Sequence, residues 1–123
     1  MSLLRSLASF VILASSALAR DYSKCDGTTY DMSVCLSKIY ERSDGELNAV
    51  YKAALRQYSG YKRHTENLRM SERRWISYRD AQCKAEYDLF EGGTMAPLIN
   101  LGCLIKITDQ RIAELKDVYL SPR

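Results

Sequence analysis

The residues of this chain with a capacity for chemistry are four cysteines, one histidine, a pair of neighbouring carboxylates, and a group of arginines around the single tryptophan. Cys25, Cys35, Cys83 and Cys103 are separated by ten, forty-eight and twenty positions and include no C-x-x-C, which is not a zinc-finger spacing. His64 has no companion histidine, so an exposed or internally satisfied ring is preferred over a ligand. No G-x-S-x-G, P-loop or H-E-x-x-H occurs, and Glu86 and Asp88, two positions apart on a helix, point away from each other. The expectation is a protein with no catalytic residue, no metal and no cofactor.

The arginines concentrate in SERRWISYRDAQC, Ser71 to Cys83. On a helix Trp75, Arg79 and Cys83 share one face, which places an arginine between a large aromatic and a cysteine. A face of that kind points inward, and a buried arginine must be paired, with Asp44 or Asp109 as candidate partners for Arg79. Arg73 and Arg74 fall on other faces of the same helix and are the better candidates for contact with a partner.

Helices must position these residues. A short helix is expected from Asp31, with Val34, Cys35, Lys38 and Ile39 at three- and four-residue spacing. Ser43-Asp44-Gly45-Glu46 then reads as the start of a second helix, with a cap at Ser43 or Asp44 and Glu46 completing a capping box. That helix carries the stripe Leu47, Val50, Tyr51, Ala54, Leu55, Tyr58 and stops at Gly60. The third runs through Leu68, Trp75, Ile76, Arg79, Cys83, Tyr87 and Phe90 to Gly92-Gly93. A flexible surface loop follows to Pro97. The last helix alternates steps of three and four through Leu98, Leu101, Ile105, Thr108, Ile112, Leu115 and Tyr119. Of the nine tyrosines, Tyr51, Tyr58, Tyr87 and Tyr119 fall on core stripes, while Tyr22, Tyr30, Tyr61 and Tyr78 are candidates for exposure. With no period-two alternation, the fold class is all-α: a small bundle of one short and three longer helices.

The ends add context. Residues 1–19 have a short basic start, an apolar run and an A-x-A motif, Ala17-Leu18-Ala19, which reads as a cleaved signal peptide. The remainder, residues 20–123, is one small domain. Export permits disulfides, and four cysteines allow three pairings. Pairing of sequence neighbours, Cys25 with Cys35 and Cys83 with Cys103, is preferred because each bridge ties one end of the chain to its neighbour. Spacing alone leaves the other pairings open.

After removal of the leader, seventeen basic residues stand against fifteen acidic ones. Between Lys52 and Arg79 there are eight basic residues and two acidic ones, so the rest of the chain is acidic. Such a bipolar chain offers a basic face to an acidic partner. Nucleic acid is a poor candidate, because no recognisable binding motif accompanies the basic residues of an exported chain. Nor is stable membrane insertion expected once the leader is gone.

Several motifs together resemble one family. They are the paired Cys25 and Cys35, D-x-x-L-N-x-x-Y (Asp44, Leu47, Asn48, Tyr51), W-I-x-Y-R-D-x-x-C (Trp75, Arg79 and Asp80 to Cys83), a Gly-Thr loop (Gly93, Thr94), and C-x4-T-x2-R-x3-L (Cys103, Thr108, Arg111, Leu115). In this order, behind an exported leader, they resemble the LprI-type lysozyme-inhibitor family over nearly all of the chain beyond the leader. Glu72 departs from the pattern, since that family usually has glutamine before the R-x-W.

The resemblance implies a helical, disulfide-bonded envelope protein that binds lysozyme-like muramidases and protects peptidoglycan. Lysozyme-type catalysis uses two carboxylates in a cleft, so an inhibitor need only fill the cleft or offer groups to it. Gly93, Thr94 and Met95 of the loop, with Arg73 and Arg74, are the candidate contacts. A net positive charge gains no long-range steering toward strongly basic host lysozymes, an objection that a less basic muramidase would ease. The expected function is a non-enzymatic inhibitor, periplasmic or secreted, with a protein partner. The alternatives are an envelope binding or assembly module without lysozyme activity, and a small secreted hydrolase, which the missing catalytic set disfavours.

Overall fold

The computed structural model describes Tyr22 and residues 24–122. The expected signal peptide, residues 1–19, lies outside the described residues. Those residues form three long α-helices, α1 (Thr29–Gln57), α2 (Lys62–Leu89) and α3 (Ala96–Leu115), followed by one π-helical turn, Lys116–Leu120. The helix-only class holds; the count does not. The expected short first helix and the second helix are one continuous α1 of 29 residues.

The reason lies in the register of its buried face. Ile39, Ser43, Leu47, Val50 and Ala54 follow one another at steps of four and three, straight through the expected break. Ser43 does not cap; it is fully buried on that stripe. Glu46 instead reaches Lys116 at 3.1 Å. Gly45 sits mid-helix on an open face, where an added Cβ would meet nothing within 4 Å. The true start is capped by Thr28, whose hydroxyl accepts from Asp31 N–H at 3.1 Å while Asp31 accepts from Thr28 N–H at 3.0 Å.

The chain runs up, down and up, and α3 packs against both other helices, whereas direct backbone packing between α1 and α2 is slight. This central position explains why α3 buries two stripes. Ile105, Thr108, Ile112 and Leu115 form the expected seam; Cys103, Ile107 and Arg111 form a second. Leu47, Val50 and Ala54 of α1, Leu68 of α2, and Ile112 and Leu115 of α3 make the main core, with Trp75 and Tyr119 at its margin. Burying each of the Leu, Val and Ile side chains in this core is worth about 1.5–3 kcal/mol.

With only one close neighbour, α2 buries a narrow line: Thr65, Leu68, Glu72, Arg79 and Cys83. Ile76, Tyr87 and Phe90, expected on this stripe, are exposed instead. Cys25 is bonded to Cys35 and Cys83 to Cys103, which realises the pairing of sequence neighbours. The first bridge ties the lead-in to α1; the second clamps α2 to α3.

Candidate functional site

The concentration of arginine around Trp75 resolves into a stack. The Arg79 guanidinium lies 5.1 Å from the Trp75 ring centroid and 5.9 Å from that of Tyr40, and the Arg111 guanidinium lies 5.8 Å from Trp75. Arg79 Nε donates to Asp80 at 3.0 Å, and its Nη1 is 3.9 Å from Asp44. The expected pairing of Arg79 with Asp44 is therefore present, while the nearest partner is its sequence neighbour Asp80.

Arg111 is more completely tied. Its Nε and Nη2 both reach Glu72 Oε2 at 3.0 Å, Nη1 reaches Glu114 at 2.6 Å, and Nη2 donates to Ser71 at 3.1 Å. Four carboxylates thus surround two guanidiniums on an aromatic platform. Both guanidiniums are buried and more than matched by carboxylates, which suits a brace between helices rather than a site for an anionic ligand.

The second chemical cluster is the Cys83–Cys103 bridge. Glu86 Oε2 lies 2.8 Å from Cys103 Sγ, and the two sulfurs and this carboxylate lie within 4.8 Å of one another. Because both sulfurs are oxidised, neither has a proton to donate nor a thiolate to ligate a metal. The short contact is therefore not a hydrogen bond from sulfur.

The predicted contact residues do not come together. Arg73 and Arg74 are exposed midway along α2, whereas Gly93, Thr94 and Met95 are exposed at the corner between α2 and α3. About sixteen residues of helix lie between them, roughly 24 Å at 1.5 Å per residue. No small site can contain both.

The corner itself is built by Gly92, whose φ of 85° is a left-handed conformation that disfavours side chains, and by Gly93, whose N–H donates to Phe90 C=O at 3.0 Å. This turn leaves Leu89 80% exposed, with Phe90 and Met95 about half exposed beside it. Glu91 stands next to them, and Asp88 is held by Lys84 at 3.1 Å. Phe90 fits the helical period of the buried stripe, which places it in the core, and Leu89 lies off that stripe; the signal for their exposure is their place at the end of the helix, just before Gly92-Gly93.

The opposite end carries an aromatic group of its own. The Tyr58 ring lies 5.8 Å from His64, 5.8 Å from Tyr119 and 6.4 Å from Tyr61, all edge-to-face. His64 is exposed, one of the two settings expected for it. Tyr40 and Tyr51 have their phenols pushed above the ordinary range, chiefly because burial disfavours the phenolate. For Tyr51 the nearby Glu72 charge adds to that effect.

Residues 20–115 match the family model described as lysozyme inhibitor LprI. An uncharacterised protein of Rhizobium meliloti (strain 1021) is 34% identical over 102 residues, covering 74% of this chain and 73% of its own length. No solved structure gives a significant match. The match covers all three helices, both disulfides and the Trp75 stack, and the chain belongs to the LprI lysozyme-inhibitor family.

Proposed function

We propose that this chain is an exported, non-enzymatic inhibitor of a lysozyme-like muramidase, and that the corner between α2 and α3 is the part that meets the enzyme. One observation carries the reading: Leu89, the most exposed large apolar side chain among the described residues, stands with Phe90 and Met95 at the corner between α2 and α3. Exposed apolar clusters rimmed by polar groups are characteristic of protein contacts. A narrow turn at the end of a two-helix hairpin has the shape to enter a substrate cleft. Gly93, Thr94 and Met95 belong to this contact; Arg73 and Arg74 lie outside it.

Charge supports the same end. Glu86, Asp88 and Glu91 lie near the corner, opposed by Lys84, which Asp88 already engages. The net positive charge of the chain sits in the distal half, so a basic lysozyme approaching the corner meets a locally acidic surface. Two disulfides fit an oxidising compartment outside the cytoplasm.

The test is a cell-wall lysis assay with oxidised protein against several lysozyme classes. Inhibition by the wild-type chain, lost in a Leu89→Ser/Phe90→Ser variant with unchanged helical circular dichroism, is the expected result. Absence of inhibition by the wild type would refute the function. Inhibition unaffected by the variant would refute the site and leave the function standing.

A further inference from the structure

We propose that the end of the bundle opposite the corner is a second binding surface, one that docks on anionic phospholipid. The connection between α1 and α2 forms this tip. Tyr61 is 62% exposed there, its ring packed against His64 at 5.7 Å and backed by Tyr58. Arg56 in the last turn of α1, and Lys62 and Arg63 in the first turn of α2, lie on the flanking turns and are all exposed. The terminal π-helical turn adds the partly exposed Val118 and Leu120, and its Tyr119 completes the aromatic cluster.

Among the described residues, the acidic groups on the adjoining turns are Glu66, Asp117 and Glu114, the last held by Arg111 at 2.6 Å. Glu66 is spent on Lys62 at 3.8 Å, and Asp117 lies on the terminal turn. Cations remain in excess. The large acidic residue of the neighbouring segment, Glu72, is no counterweight, because it is buried against Arg111.

Lipid is favoured over other polyanions by the combination of groups. Amphipathic tyrosine with Lys and Arg around it, and a few aliphatic side chains beside it, matches the headgroup region of a bilayer. The surface lies at a helix connection at the end of the bundle, where a flat partner can meet it. No described helix is long and apolar enough to cross a membrane, so the contact is peripheral. Docking by this end leaves the corner pointing away from the bilayer.

Vesicle co-sedimentation of the oxidised chain from Arg20 onward tests this; the leader must be absent, since its apolar run would bind lipid by itself. Phosphatidylcholine vesicles containing phosphatidylglycerol should bind the protein, and pure phosphatidylcholine vesicles should not. Binding should weaken as salt is raised. Each cation near an anionic surface is worth about fivefold, so Lys62→Gln/Arg63→Gln should lower the partition coefficient roughly 25-fold. Tyr61→Ser should lower it further, while Leu89→Ser should leave it unchanged.

Equal binding to neutral vesicles, no binding to either, retention only by insoluble peptidoglycan, or full binding by the correctly folded double glutamine variant would each overturn the proposal. Lysis assays on the same variants keep this result separate from the inhibitor reading.

Discussion

Arg111 of α3 and Glu72 of α2 form an ion pair in which two guanidinium nitrogens reach one carboxylate oxygen at 3.0 Å, with side chains only 5% and 8% exposed. Two charges taken out of water repay that cost only when each remains fully partnered, and here the pair is extended by Glu114, Ser71 and the Trp75 ring. The partners are unequal. If Glu72 is neutralised, Arg111 keeps Glu114; if Arg111 is removed, Glu72 is left buried.

Arg111→Met should therefore destabilise the fold by about 3–5 kcal/mol, the cost of an uncompensated buried charge. Glu72→Gln, which keeps an acceptor of the same shape, should cost less than half as much. Denaturant unfolding of the two variants measures the difference, and equal losses would contradict the asymmetry.

Gly45→Ala should raise stability by about 0.5–1 kcal/mol, because the position is an open helix interior and alanine restricts the unfolded chain. A break at Ser43–Gly45 would make the same change neutral or harmful. Thermal unfolding distinguishes the two.

Ser43 Oγ and Thr108 Oγ1 are buried on α1 and α3 without a hydrogen-bond partner. An unsatisfied buried hydroxyl costs about 1–3 kcal/mol. Ser43→Ala and Thr108→Val, which remove the oxygen and little else, should each be neutral or stabilising in chemical denaturation. A loss above about 1 kcal/mol would mean that the hydroxyls are bonded.

Asp31 has its carboxyl held below the ordinary range, first by the Thr28 backbone N–H and then by the Thr28 hydroxyl. A lowered folded-state pKa favours folding above the unfolded value, about 3.9, and that contribution is lost as pH falls through the folded value. Asp31→Asn should flatten the acid limb of the stability profile over this interval. Thr28→Ala should cost about 1 kcal/mol near neutrality through loss of the cap.

Tyr40 and Tyr51 give the opposite sign at the other end of the scale. Burial raises both phenols, so the folded state holds these protons after the unfolded chain releases its own near pH ~10. Their contribution is complete below that pH and is lost as pH rises through the folded-state values. In the wild type, tyrosinate absorbance should contain a late-titrating component; Tyr40→Phe should remove part of it and reduce the alkaline loss of stability.

The cysteine count and spacing, the stripe from Leu47 to Ala54 and the seam from Ile105 to Leu115 were legible because each depends on local periodicity, which a helix imposes on its own sequence. The break at Ser43 was misread for a related reason. Ser-Asp-Gly-Glu has the composition of a helix start, and only the complete burial of Ser43 on the α1 stripe overrules it. The real cap at Thr28 has the same chemistry with no such competition.

Sequence alone thus determined the helical class, the family motifs and the inward face of Trp75, Arg79 and Cys83. Tertiary structure decided which charges meet. Glu72 and Arg111 are thirty-nine positions apart, and no local rule joins them. It also decided which apolar residues stay uncovered: Phe90 keeps the helical period of the core, yet it lies where α2 ends, beyond the reach of its neighbours. Periodicity specifies the direction of a side chain, and only packing specifies whether anything is there to receive it.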